Sequence, residues 1–592
     1  MALRVFLSCL LVYVFGAGLA YAQSPANPKA DGLDRPRIGL VLGGGGAKGL
    51  SHVGVIKVLE DNQIPVDVIS GTSMGAIVGS LYASGYSAAE LDNIVDTIDW
   101  TNVLGDNTSR SNSTFRRKAD EFGFLTDYKI TFRDGKIVLP EGIIQGQNLF
   151  LELSRLLAQT RSIGNFDDLP IPLRLVATDL ETGGEIIMKD GDLATAVFGS
   201  MAIPGFVPPV ERDGRYLLDG GLVNNLPADL ARKMGADILI VVNVGSPPKP
   251  AGEIGSFIDV LRQTQILLTQ ENTNLQIAML SADDILLLPE LDDLSVASFE
   301  DGGKAVQAGR AAALSRQADL RKLRLDDAQW AAHLAARKPR KEQDRIIDSI
   351  EIVQNSKLSD EIIRAGLNVR AGDTLDAAQL SRDIDRLYGT GQFSRITYKM
   401  LEQDTGNVLQ VAATTKESAD GYFKFGLDLD SNLENESSFK LGVSYTKPQV
   451  NRWGGEWRTE ANIGDSIEAI SEFYQPVGTA QRFFVEPSIL LQREKTDFFD
   501  NMDIRRGELT TVAYGASLQG GMLLGRWGEL RAGVTRLEGD LHFTDPLLSG
   551  ANINIHDASI LTRFTVDTLD SLSFPTKGTL LIAEHEYHDT FL

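Results

Sequence analysis

Gly71-Thr72-Ser73-Met74-Gly75 places a serine between two glycines in a G-x-S-x-G pattern, which makes Ser73 a candidate nucleophile. It follows the strand-like VDVIS (66–70) and precedes the helix-like AIVGSLYASG (76–85). A serine on so tight a strand-to-helix turn projects its hydroxyl from the carboxyl edge of a sheet, and Gly71 and Gly75 permit the crowded backbone. The helix N-terminus beneath it favours negative charge developing nearby. The pentapeptide alone is common by chance; its strand–turn–helix setting carries the reading.

A second glycine turn, Gly43-Gly44-Gly45-Gly46-Ala47-Lys48-Gly49, lies between RIGLVL (37–42) and LSHVGVIKVLE (50–60). Gly44, Gly46 and Gly49 also satisfy G-x-G-x-x-G, with Asp67 about 20 residues on, so a dinucleotide-binding loop is one reading. The other is an oxyanion loop in which the bare amides of Gly44, Gly45 and Gly46 approach a tetrahedral intermediate. The neighbouring serine elbow favours the second, since a cofactor loop has no need of it. Lys48 is read as a group supporting the loop.

A serine hydroxyl needs a base. Of six histidines, His333, His542, His556, His585 and His588 fall outside the region of the two glycine turns. His52 follows the glycine loop directly and reads as a packing or helix-surface residue. Proton transfer then falls to a carboxylate. Asp219, in Asp219-Gly220-Gly221, is the best candidate, because two glycines after an aspartate at a strand end can present it to a cleft; a plain hairpin turn is the competing reading. No zinc or calcium spacing stands out, so neither metal nor cofactor is expected.

These turns need a rigid scaffold. Short apolar runs at 37–42, 66–70, 173–178 and 237–244 alternate with helical stretches over 37–315, as in a parallel-rich sheet covered by helices on both faces. A helical linker (316–344) follows, with a basic run Arg337-Lys338-Pro339-Arg340-Lys341 that is either a protease-sensitive boundary or a solvated helix end. Residues 345–417 read strand, helix, helix, strand, strand, and resemble a POTRA domain. From 420 to 592 the period becomes two. Phe423, Phe425, Leu427 and Leu429 alternate with Lys424, Gly426, Asp428 and Asp430, and about nine strands of roughly ten residues follow this rule. That pattern suits a transmembrane β-barrel, with a soluble β-sandwich as the competing reading. The segment Asp567-Thr-Leu-Asp to Phe574-Pro-Thr-Lys-Gly578 resembles one found within Omp85-type barrels. More strands follow it there, so an incomplete, unclosed barrel is expected here.

The first 22 residues read as a signal peptide: Arg4, an apolar stretch Val5 to Leu19, then Ala20-Tyr21-Ala22. The one cysteine, Cys9, lies inside it, which excludes disulfides and thiol catalysis from a mature chain. A formal charge of −23 argues against nucleic-acid binding.

Taken in order, GGGAKG (44–49), GTSMG (71–75), ATDL (177–180), SMAIPGFVPP (200–209) and DGG (219–221) resemble the patatin-like phospholipase family. With the POTRA-like module and barrel, the chain is similar to the type Vd autotransporters, the PlpD-like proteins. The resemblance implies a Ser73–Asp219 dyad that cleaves phospholipid or other lipid esters, with the Gly44–Gly46 amides on the oxyanion. Met74, Ile203, Phe206 and Val207 are candidates for the acyl pocket. It also implies an outer-membrane or cell-surface location reached through the barrel-assembly machinery, with possible release of the hydrolase domain outside. The competing function is a transport or assembly factor whose hydrolase-like domain only binds.

Overall fold

The computed structural model describes residues 35–592 except 106–108, 124–128, 134–135, 139–141, 143, 339–344, 405, 432–436, 465, 500–504, 544–551 and 590–592. The expected signal peptide, Cys9 and Pro339-Arg340-Lys341 lie outside the described residues.

The first sheet has eight strands, and a run of six within it, with its helices, positions the site. In chain order its parts are β1 (Ile38–Leu42), α1 (Ser51–Asp61), β2 (Val68–Thr72), α2 (Met74–Ala83), β3 (Leu173–Asp179), α3 (Leu193–Ser200), β4 (Arg215–Asp219), β5 (Ile238–Val242) and β6 (Ile285–Leu287). Strand order in this run is β6-β5-β1-β2-β3-β4, parallel throughout except β4, which is antiparallel to β3. Two further strands pair antiparallel, Glu185–Met188 with β3 and Val210–Arg212 with β4. The four expected strands fall within two residues of these bounds. Successive side chains of one strand enter opposite cores, as the two-residue period demands. Leu40, Leu42 and Ile69 pack with Ile56, Tyr82 and Phe198 on one face. Val41 and Val68 pack with Leu226, Ala231 and Val241 on the other. Such double burial explains why these strands carry no polar alternation.

Arg337 corrects the expectation of a solvated helix end. It is buried and donates to Glu60 at 3.0 Å, the Tyr82 hydroxyl at 2.9 Å and the Tyr86 carbonyl at 3.1 Å. The helix Asp327–Ala336 is thereby tied to α1 and α2 of the first domain.

Residues 349–415 form a three-stranded sheet in the order Ser349–Gln354, Gly406–Thr415, Phe393–Gln403. Helices Asp360–Gly366 and Ala377–Tyr388 supply Ile363, Leu380 and Ile384 to a core with Ile396, Leu409 and Val411. This is the expected strand–helix–helix–strand–strand order. Gln147 of the first domain exchanges two hydrogen bonds with the backbone of Ile396, at 2.9 and 2.8 Å.

The carboxyl-terminal part is a continuous antiparallel sheet of nine strands, from Tyr422–Ser431 to Leu580–Asp589. The strands are 9 to 20 residues long, several of them well beyond the expected ten. Alternation is as read from the sequence: Phe425, Leu427, Phe439 and Leu441 are exposed, whereas Lys424, Ser444, Thr446, Glu456, Glu472 and Glu486 are buried. Among the described residues no pairing joins the first of these strands to the last. Nor is any described helix long and apolar enough to cross a membrane.

What covers the polar face was not anticipated. Helix Phe115–Gly123, from the segment between β2 and β3, lies on it. Arg116 donates to Glu456 (3.0 Å), Glu472 (2.6 Å) and Glu486 (3.3 Å), on three consecutive strands. Arg110 pairs with Asp567 and Glu121, and Lys118 Nζ donates to the carbonyls of Arg526 and Asp567 at 2.8 and 2.9 Å. Ile130–Arg133 then adds its edge to Tyr422–Ser431. A charge is buried only where it is paired, and these basic residues and carboxylates are buried against each other.

Candidate active site

β2 ends at the turn that carries Ser73, and α2 begins immediately after it. Ser73 has φ 54° and ψ −120°, a region that L-residues rarely enter and that costs of order 1–3 kcal/mol. The surrounding packing enforces it: a Cβ on Gly75 would meet the Leu42 carbonyl oxygen at 2.1 Å, so only glycine lets α2 seat this close to β1. Gly71 faces Gly75 across the turn.

β4 brings Asp219 to the same edge, 146 residues later in the chain. The Ser73 hydroxyl donates to Asp219 Oδ2 at 2.7 Å, and the Gly221 amide donates to Oδ1 at 2.7 Å. The Thr178 hydroxyl holds the Asp219 carbonyl at 2.8 Å. Gly220 packs on the Val176 carbonyl. Asp219 is 2% exposed, and this burial pushes its carboxyl up to about 6, against the opposing bonds from Ser73 and Gly221. A carboxyl so tuned is ionised at neutral pH and still basic enough to take a proton.

The glycine loop lies beside them. A Cβ on Gly44 would sit 3.0 Å from the Ser73 Cβ, so this loop backs directly onto the serine. The Gly44 amide, expected to face the oxyanion, is turned elsewhere. The Gly44 amide already donates to the Asn225 carbonyl at 3.1 Å, while Asn225 Nδ2 donates to the Gly44 carbonyl at 3.2 Å. That amide cannot also serve an oxyanion. The Gly45 and Gly46 amides have no partner among the described residues, and Gly46 turns the chain at φ +57°. Gly49 packs on the Met74 side chain. Lys48 is buried, which lowers its pKa from the ordinary value, partly offset by Asp292.

His52 is no base for Ser73. It is wholly buried and held down to about 4 by that burial, so it is neutral at physiological pH. Its Nε2–H donates to the Gly43 carbonyl at 2.8 Å, anchoring the start of the glycine loop. Neither His52 nor Asn225 was expected to support the loop. The only sequence signal for His52 was its place just after the loop.

Met74 lines an apolar crevice with Leu50, Val53, Ile77, Leu81 and Val95. Ile203, Phe206 and Val207, also expected around an acyl chain, do not line it. Among the described residues no group of three His, Cys, Asp or Glu side chains is placed to hold a metal ion.

Comparison with known proteins finds family matches over two parts of the chain. Residues 40–232 match the family "Patatin-like phospholipase", and residues 346–414 match POTRA, "Surface antigen variable number repeat". Patatin-like phospholipase domain-containing protein 6 of Homo sapiens is 36% identical over 211 residues, 35% of this chain and 13% of that protein. Neuropathy target esterase sws of Drosophila melanogaster is 33% identical over 213 residues, 35% of this chain and 13% of that protein. The chain thus spans about an eighth of the length of these relatives. Among solved structures, BamA from Haemophilus ducreyi lacking POTRA domains 1–3 aligns with TM-score 0.34 and 16% identity, over 42% of this chain and 49% of that one. VipD from Legionella pneumophila aligns with TM-score 0.28 and 15% identity, over 49% of this chain and 67% of that one.

Proposed function

We propose that this chain, which carries a patatin-like phospholipase domain over residues 40–232 and a POTRA domain over 346–414, is a serine acyl hydrolase of lipid esters. The observation that carries the reading is the 2.7 Å hydrogen bond from a strained, elbow-borne Ser73 to a buried Asp219 of raised pKa.

Asp219 Oδ2 accepts the Ser73 proton as Oγ attacks the ester carbonyl. The carbonyl oxygen, now negative, takes the Gly45 and Gly46 amides, assisted by the N-terminus of α2. Collapse of the intermediate expels the alcohol, which leaves with the proton from Asp219, and an acyl-serine remains. Water then attacks the acyl-serine while Asp219 takes its proton, and as the second intermediate collapses the Ser73 Oγ–acyl bond breaks, Oγ takes the proton back from Asp219 and the fatty acid departs. Met74 and its apolar neighbours suit the acyl chain, and a glycerophospholipid is the substrate class the family names suggest.

The test is fatty-acid release from phosphatidylethanolamine–phosphatidylglycerol vesicles, read by mass spectrometry. Wild-type chain should release fatty acid and Ser73→Ala none above background; equal release by the two ends the proposal. The pH dependence is a second check. Asp219 must be ionised to accept a proton, so kcat/KM should climb about tenfold per pH unit below 6 and level off above it. A flat profile between pH 4.5 and 7.5 would exclude Asp219 as the base.

The alternating strands and the POTRA domain support a place in the outer membrane after export, with insertion by the barrel-assembly machinery. Release of the hydrolase domain is disfavoured by Arg110, Arg116 and Lys118, which bind it to the strands. Fractionation followed by protease accessibility of residues 40–232 tests this: a soluble extracellular hydrolase fragment would contradict retention.

A further inference from the structure

Ser200, the last residue of α3, is completely buried and reaches both halves of the Ser73–Asp219 pair. Its hydroxyl donates to the Val176 carbonyl at 2.6 Å, which points a lone pair at the Ser73 amide; that amide donates to Ser200 Oγ at 3.0 Å. The Ser200 carbonyl accepts the Gly220 amide at 3.2 Å, and two residues on the Ala202 carbonyl accepts the Asp219 amide at 2.8 Å. The end of one helix therefore bonds the backbone of the nucleophile and the backbone of the base.

We infer that Ser200 is a positioning residue that holds the Ser73 elbow in its strained conformation and in register with Asp219. This rests on the hydrolase reading above. The physical need is specific. Ser73 at φ 54° relaxes unless its neighbours over-determine it. Two of its polar groups are tied to this side of the site: the hydroxyl to Asp219 and the amide to Ser200. Without the Ser200 hydroxyl the amide loses its partner, and the elbow can rotate to find another. Ser73 Oγ then leaves the 2.7 Å line to Asp219, and a displacement of about 1 Å at a reacting atom is enough to cost 10²-fold in rate. Ser200 touches neither the ester nor the transferred proton, so its effect belongs to the chemical step and not to substrate binding.

The experiment uses the full chain in detergent, with a fluorophosphonate probe that reports the nucleophilicity of Ser73 and a p-nitrophenyl ester for turnover. Absence of labelling in the wild type would refute the hydrolase reading itself. With the wild type labelled, Ser200→Ala should label at least tenfold more slowly. Its kcat should fall by the same factor with KM within about twofold, while thermal unfolding still follows one cooperative transition. Ser200→Thr keeps the hydroxyl and should stay within about threefold of wild type. Wild-type labelling by Ser200→Ala, a loss confined to KM, or equal losses in the Ala and Thr variants would each overturn the assignment.

Discussion

Asp219→Asn should abolish ester turnover and, at neutral pH, make the domain more stable. The amide keeps the shape of the carboxylate: its oxygen can accept from the Gly221 amide, and its nitrogen can face Ser73 Oγ. It cannot accept the serine proton. General-base assistance contributes about 10²–10⁴-fold to rate, and a base that acts twice per turnover has no substitute nearby, since His52 is committed to the Gly43 carbonyl. We expect kcat to drop by about 10³-fold or more; retention of a tenth of wild-type turnover would rule out the dyad.

The stability gain follows from the sign of the pKa shift. In the folded protein the Asp219 carboxyl is raised from 3.8 to about 6, so the native state binds this proton more tightly than the unfolded chain. Stability therefore falls as pH rises from about 4 to about 6, and above pH 6 the buried charge costs the fold about 3 kcal/mol. Asparagine removes that cost. At pH 7.5 the variant should unfold at a higher temperature than wild type. At pH 4 the difference should shrink, because the carboxyl is by then largely protonated. A variant that melts below wild type at pH 7.5 would mean that the Ser73 and Gly221 bonds outweigh desolvation.

Arg116→Met should be the most destabilising single change at the junction of the first domain and the carboxyl-terminal strands. It leaves Glu456, Glu472 and Glu486 buried with one fewer cation among them. Breaking a buried pair typically costs 3–5 kcal/mol. Here the lower end applies, because Arg117 also pairs Glu456, Arg458 also pairs Glu472 and Arg531 also pairs Glu486. Heat modifiability on gels, or thermal scanning in detergent, should put the loss of folded protein at least about 5 °C lower. Adding Glu472→Gln to Arg116→Met should recover part of the loss, since it removes one of the carboxylates left short of a cation while Arg458 keeps its pairing with Asp120. An unchanged melting temperature for Arg116→Met would show that the helix contributes nothing to the junction.

The features legible along the chain are those whose cause is local. Glycines two residues on either side of Ser73 specify a turn that other residues could not make. Unbroken apolar runs at β1 and β5 specify doubly buried strands, and alternation from Phe423 to Leu429 specifies a sheet with one apolar and one polar face. These depend on side-chain size and period, which a short window contains. Asp219 was reachable by elimination among the titratable groups, although its 2.7 Å approach to Ser73 was not.

Folding in three dimensions sets everything that depends on which distant groups meet. It withdrew the Gly44 amide from the oxyanion loop by pairing it with Asn225, 181 residues away. It set His52 under Gly43, put Ser200 against the Ser73 amide across 127 residues, and left Ile203, Phe206 and Val207 out of the apolar crevice that Met74 lines. It also carried Arg110 to Asp567 across 457 residues. A hydrogen bond or buried ion pair leaves no periodic trace along the chain, because its partner is chosen by strand order and packing. Ser73 therefore stands out in the sequence, while the groups that hold it in place do not.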